Sequence, residues 1–124
     1  MIKSFQNYRE IANALIDAVA DKLDACINVQ RGYSNQSCSS YLNLDIYTVD
    51  EDGEDIIESF KLRISDHADR YGADATVRFD HIVDEIKDED GDYDHITIED
   101  DEFDALVKEA LEMVQEWQKT IIPT

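Results

Sequence analysis

Basic residues are scarce in this chain of 124 residues. Eleven lysines and arginines stand against 30 aspartates and glutamates, a formal net charge of −19. Such a surface repels nucleic acid and anionic lipid and attracts basic surfaces. Direct nucleic-acid binding and adsorption to a membrane are therefore not expected. Glycine is also rare, with four residues and no G-x-G, which excludes a glycine-rich phosphate loop. The two cysteines, Cys26 and Cys38, are too few for a disulfide framework, and their spacing matches no zinc motif. Both are expected to be reduced thiols, Cys26 on an apolar helix face in the core and Cys38 exposed in a polar loop. No apolar run approaches the roughly 18 residues of a membrane span. The start, MIKSFQNYRE, carries no basic segment ahead of an apolar core, so no signal peptide is visible. The expectation is a soluble cytoplasmic protein.

What is present is enough for a core. Apolar residues make up 43% of the chain, which separates it from a disordered acidic tail, and its length suits one domain over residues 1–124. High-salt adaptation fits the acidity poorly, because 14 of the residues are isoleucine. Phe5, Tyr8, Ala12, Leu15, Val19, Leu23 and Cys26 recur at steps of three and four and predict a helix from Ser4 to Ile27, capped by Ser4. Residues 28–40 are polar and read as a loop. YLNLDIYTV and IIESFKLRIS alternate about an Asp-Gly turn and predict a β-hairpin. Leu42, Leu44, Ile46, Phe60, Leu62 and Ile64 then face the helices. Tyr41, Tyr47, Lys61 and Arg63 lie on the other face, with Asp45 as a cross-strand partner. Ala75–Val83 reads as a third strand with Val77 and Phe79 inward. Ile96 and Ile98 mark a short fourth, and residues 82–86 fit either a strand or a short helix. Phe103, Val107, Ala110, Leu111, Val114 and Trp117 predict a final helix from Asp100 to Lys119, with Pro123 beyond its end. The fold class is α+β, an antiparallel sheet of three to four strands with the N- and C-terminal helices packed on one face. Apart from two DEDG turns, no internal repeat is visible.

Three stretches imitate chemistry. Ser65, Asp66 and His67 supply the residue types of a hydrolytic triad, but they are consecutive, and side chains on neighbouring positions of an extended chain diverge. The expected role of Asp66 or Ser65 is to bond nearby backbone amides and turn the chain out of the strand. Each of the three histidines follows an aspartate, at Asp66-His67, Asp80-His81 and Asp94-His95. A zinc-type site would need those strand ends to meet, and a meander sets some of them at opposite ends. Aligning KDEDGDYDHITIE to a calcium loop with Gly91 sixth puts Ile86 first and Thr97 twelfth, where carboxylates are needed. The expectation is no catalytic residue, no metal site, no cofactor and no enzyme.

The remaining signal is where the acids lie. Six fall between Asp50 and Glu58 with no base among them, and 13 fall between Asp80 and Asp104 with Lys87 alone. Solvated turns that keep strand edges from aggregating account for such runs. Carboxylates held on a rigid frame also imitate spaced phosphates. The partner-binding candidates are Asp50, Glu51, Asp52, Glu54 and Asp55 in one patch and Asp88, Glu89, Asp90, Asp92 and Asp94 in the other.

SSYLNLDIY followed by KLRISDH resembles a pattern in small proteins of phages and mobile elements. In that pattern a Ser-x-Tyr strand precedes an Arg-hydrophobic-Ser-Asp-His strand end, carried here by Ser39, Tyr41, Arg63, Ser65, Asp66 and His67. The resemblance covers about 30 of the 124 residues. It brings no activity with it and implies a phage or prophage origin. By class analogy, small acidic phage proteins include anti-CRISPR and anti-restriction inhibitors. The expected function is such an inhibitor, acting in the host cytoplasm by acidic DNA mimicry. Its partner would be a basic host nucleic-acid-binding protein, a CRISPR effector or restriction enzyme. The alternative is a phage structural or assembly module that pairs with another protein, or with itself as a homodimer, through the sheet face bearing Tyr41, Tyr47 and Arg63.

Overall fold

The computed structural model describes residues 1–34, 39–66 and 73–121. Along the chain run β1 (Ile2–Phe5), α1 (Tyr8–Ala20), β2 (Asn28–Ser34), β3 (Ser39–Val49), β4 (Asp55–Ser65), β5 (Ala75–Arg78), β6 (Asp84–Lys87), β7 (Tyr93–Glu99) and α2 (Asp100–Ile121). The class is α+β, with one helix near each end of the chain. The strands form two sheets, ordered β1-β7-β6 and β2-β3-β4-β5. All pairings are antiparallel except β4 with β5, which is parallel.

The first helix is shorter than its apolar periodicity suggests. Ser4 belongs to β1, and Asn7 is the cap, its side chain accepting from the Glu10 N–H at 2.9 Å. Glu10 reaches back to accept from the Gln6 N–H at 2.7 Å, which completes a reciprocal capping pair. At the other end the helix stops at Asp21, although Leu23 continues the stripe into the following turns. Cys26, expected in the core, is exposed there. The polar segment after it is not a plain loop: β2 lies antiparallel along β3 from Asn28 to Ser34. Cys38, His67 and Pro123 lie outside the described residues.

The long hairpin is the backbone of the larger sheet. Leu42, Leu44, Ile46, Leu62 and Ile64 are buried on one face and pack with Ile11, Leu15, Ile16 and Val19 of α1 and with Leu106, Val107, Ala110 and Val114 of α2. Both helices therefore cover the same face of this sheet. Ile96 and Ile98 of β7 join the same cluster from the smaller sheet. Burying each such leucine, isoleucine or valine side chain contributes about 1.5–3 kcal/mol against leaving it in water. Among the described residues no helix is long and apolar enough to cross a membrane.

The hairpin is also longer than its neighbours. β2 ends its pairing at Asp45, and β5 pairs only with Leu62–Ser65. Beyond those points residues 46–58 form a two-stranded arm that carries the first DEDG turn at its tip.

Candidate functional site: two carboxylate turns and a buried arginine

The two DEDG turns are built alike. In the first, the Gly53 N–H donates to the Asp50 carbonyl at 3.1 Å, and the Asp50 N–H donates to the Glu54 carbonyl at 2.9 Å. The Asp50 side chain accepts from the Asp52 and Glu54 N–H groups at 2.9 and 2.8 Å. In the second, the Gly91 N–H donates to the Asp88 carbonyl at 3.0 Å, and Asp88 accepts from the Asp90 and Asp92 N–H groups at 2.9 and 3.0 Å. Gly53 and Gly91 take φ values of 84° and 83°, left-handed backbone that a side chain strains. Nothing lies within 4 Å of a Cβ added at either glycine. Gly53→Ala therefore tests backbone strain alone, and it is expected to cost about 1 kcal/mol in urea unfolding with the fold intact.

One acid of each turn is thus spent on local amides, and the others are presented outward. All ten candidate carboxylates are exposed. Among the described residues no ion pair with lysine or arginine involves either turn; those present join Lys3 to Asp100, Arg31 to Asp17, Arg78 to Asp80 and Lys119 to Glu116. Carboxylates of Asp88, Asp90 and Asp92 offer oxygens within 4.8 Å of one another. That proximity follows from the turn itself, since Asp88 bonds the amides of the other two.

The patches do not merge into one. Tyr8, at the start of α1, stacks on Phe79 with centroids 6.1 Å apart and on Tyr93 at 6.3 Å. The Phe79 N–H donates to the Ser65 carbonyl at 3.2 Å. The start of β7, and with it the second turn, is tied to the Ser65 end of β4. The first turn caps the opposite end, ten residues away, or about 33 Å at roughly 3.3 Å per residue.

The phenols at the Tyr8 end are electrostatically perturbed. Tyr8 donates to the Glu85 carboxylate, and burial followed by that bond pushes its phenol well above the ordinary 10.0. Burial and the Glu85 charge raise Tyr93 in the same direction. A phenol whose pKa is higher in the fold keeps its proton longer there. Its contribution to stability is complete below about pH 10 and is lost as pH rises through the folded value. Tyrosinate absorbance during an alkaline titration should show a late fraction of the six tyrosines. Tyr8→Phe should remove part of that fraction. Nearby, Arg78 donates to both oxygens of Asp80 at 2.5 and 2.9 Å, and that hydrogen bonding holds the Asp80 carboxyl below its usual range. This small contribution is present above the usual carboxylate range and disappears as pH falls through the lowered value. A cleft of about 120 Å³ opens beside Tyr8, lined also by Arg9, Tyr33, Ser65 and Asp66, with Arg9 stacked 3.8 Å over Tyr33.

The outward-reading face of the hairpin is not uniformly wet. Ser39, Tyr41, Arg63 and Ser65, all but two residues of the Ser-x-Tyr and Arg-x-Ser-Asp-His pattern, are buried together there, and Arg63 is 0% exposed. Its Nε donates to Ser39 Oγ and its Nη2 to Ser65 Oγ, both at 2.8 Å. Ser39 Oγ donates to Ser65 Oγ at 3.2 Å. Tyr41 pairs directly across from Arg63 and carries Lys61 4.7 Å above its ring. The Ser65 hydroxyl is thus engaged by a guanidinium. Asp45 takes its cross-strand hydrogen bond from Ser59 at 2.5 Å rather than from a basic residue. This corner is a structural clasp between two strand ends, and its meaning was hidden in the sequence because an arginine at an outward position of an alternating strand reads as solvated.

Among the described residues no histidine joins a metal-compatible group. His95 contacts its neighbour Asp94 at 2.6 Å, and His67 lies outside the described residues. Comparison with protein-family models, with curated proteins and with solved structures gives no match.

Proposed function

We propose that the protein is a non-enzymatic inhibitor of the anti-defence kind, of phage origin, that occupies the basic nucleic-acid groove of a host protein such as a CRISPR effector or a restriction enzyme. One observation carries this reading: two turns of the same construction hold carboxylates on fixed backbone and leave them unneutralised by any lysine or arginine among the described residues. A solubilising surface has no need of rigid, un-neutralised clusters on the hairpins of two separate sheets. A phosphate imitator needs both properties, because desolvated partner cations reward only charges that stay in place. The two turns would act as separate contacts along an extended groove.

The test is cleavage of duplex DNA by a restriction enzyme or CRISPR nuclease with the protein present. Inhibition should be strong at low salt and weaken by orders of magnitude in affinity between roughly 50 and 200 mM, because it replaces one polyanion by another. Inhibition of undiminished strength at the higher salt would sink the mimicry.

A second reading, docking through the outward sheet face, is favoured by Tyr47, Val49 and Ile57, which are 62, 59 and 57% exposed. The face as read from the sequence is too large, however. Tyr41 and Arg63 are buried, so the exposed aromatic and apolar part of the face lies on the arm.

A further inference from the structure

The arm has an unfinished edge. β4 pairs with β3 along nearly its whole length but with β5 only from Leu62 to Ser65. Asp74 extends that side by one step, its N–H donating to the Lys61 carbonyl at 2.9 Å and its carboxylate accepting from the Lys61 N–H at 2.7 Å. Below Lys61, from Asp55 to Phe60, no strand lies beside β4 among the described residues. Lys61 turns both backbone groups toward β5, and strand geometry alternates, so Asp55, Ile57 and Ser59 turn theirs to the open edge. These are unpaired ladder groups of the kind another chain can complete.

Each face of the sheet has a feature beside that edge. On the helix side, Phe60 stacks on Trp117 with centroids 5.2 Å apart. Together with Met113, Ala75 and Asp74 they line a shallow groove, which begins where the line of β5 ends. On the outer side, Ile57 pairs with Tyr47, and Val49 pairs with Asp55. The result is an exposed apolar strip, with Asp45 and Asp55 at its margins. The arm from Asp50 to Glu58 carries six acids and no base.

We propose that the Asp55–Phe60 edge is a docking site for an extended segment of a basic partner protein, which adds to the sheet as a strand beside β4. Alternate apolar side chains of that segment enter the Phe60–Trp117–Met113 groove. The intervening lysines or arginines lay their stems over Ile57 and Tyr47 and bring their charges to the acids of the arm. A second copy of this chain is a poor occupant, because it would set the same acids of two chains of net charge −19 against each other. The site shares the acids of the arm with the proposed phosphate imitation, but the two are distinguished by readout: strand addition on the edge amides, imitation on duplex cleavage.

The experiment follows backbone amides of the isotope-labelled full chain by NMR while a nine-residue peptide of alternating lysine and valine is added. The control peptide has the same sequence with alternate peptide nitrogens methylated, which keeps charge and removes strand hydrogen bonds. Hydrogen exchange at Ile57 and Ser59 should slow at least tenfold with the first peptide, and Phe60 and Trp117 signals should shift. The methylated peptide should bind at least tenfold more weakly. Ile57→Lys, at an exposed position, should keep the spectrum of the folded protein and lose the first peptide to the same extent. Shifts confined to the two acidic turns, equal binding of both peptides, full binding by the Ile57→Lys variant, or no binding at millimolar peptide would each overturn the proposal.

Discussion

Arg63→Ala is expected to destabilise the protein by about 3–5 kcal/mol, a large share of the roughly 5–15 kcal/mol that holds a small domain folded. The guanidinium is fully buried and donates to two buried serine hydroxyls at 2.8 Å from different strands. Hydrogen bonds to a charged group contribute about 1.5–3 kcal/mol each, and truncation also leaves a void the length of the side chain. Arg63→Met separates these effects. It keeps most of the volume, and the serines already share a hydrogen bond at 3.2 Å, so the loss should fall to about 1–3 kcal/mol. Arg63→Lys should not restore wild-type stability, because a single ammonium lacks the planar fork that reaches both hydroxyls. Chemical denaturation of the three variants orders them, and Arg63→Ala with near wild-type stability would show that the clasp does not hold the strand ends.

The second large effect concerns binding. Reversing Glu51, Asp52 and Glu54 to lysine should weaken inhibition at least 100-fold at low salt, at about 1.5 kcal/mol or more for each close charge pair lost. Asp50 is left in place because its carboxylate organises the turn through two amides, so the variant should unfold at nearly the same denaturant concentration as the parent. Three reversals add six charges and move the net charge from −19 to −13. Net charge alone also alters association, so the companion variant is Asp104, Glu109 and Glu112 to lysine, three exposed acids on α2 with the same change in total. It should inhibit within a few-fold of the parent. Equal losses in the two variants would mean that only overall charge matters and that the turn has no special part.

How much of this was legible depended on the length and exposure of each element. The β3–β4 hairpin and α2 announced themselves through long runs of period-two and period-3.6 alternation, and both DEDG turns through Asp-Gly. β1, of four residues, was absorbed into the helix because Phe5 and Tyr8 happen to share the helical spacing. β2 is an edge strand whose residues are mostly half-buried or exposed, so it carries little apolar alternation to mark it. The early stop of α1 has neither glycine nor proline to signal it; Leu23 still packs against the core from a turn. The parallel seating of β5 depends on how the chain returns from Ser65, which no local pattern encodes. The candidate acids were all visible as a composition anomaly. Their separation was not, because it rests on Tyr8 stacking between Phe79 and Tyr93.

The most direct test of the central claim is capture of host proteins on the immobilised chain at low salt, followed by elution in rising salt and identification by mass spectrometry. The account predicts a basic nucleic-acid-binding protein that is retained at low salt, released as salt rises, and not retained by the Glu51, Asp52 and Glu54 to lysine variant. A retained partner that resists high salt and binds no nucleic acid would contradict it, and would leave the acidic turns as solubilising caps on a docking arm.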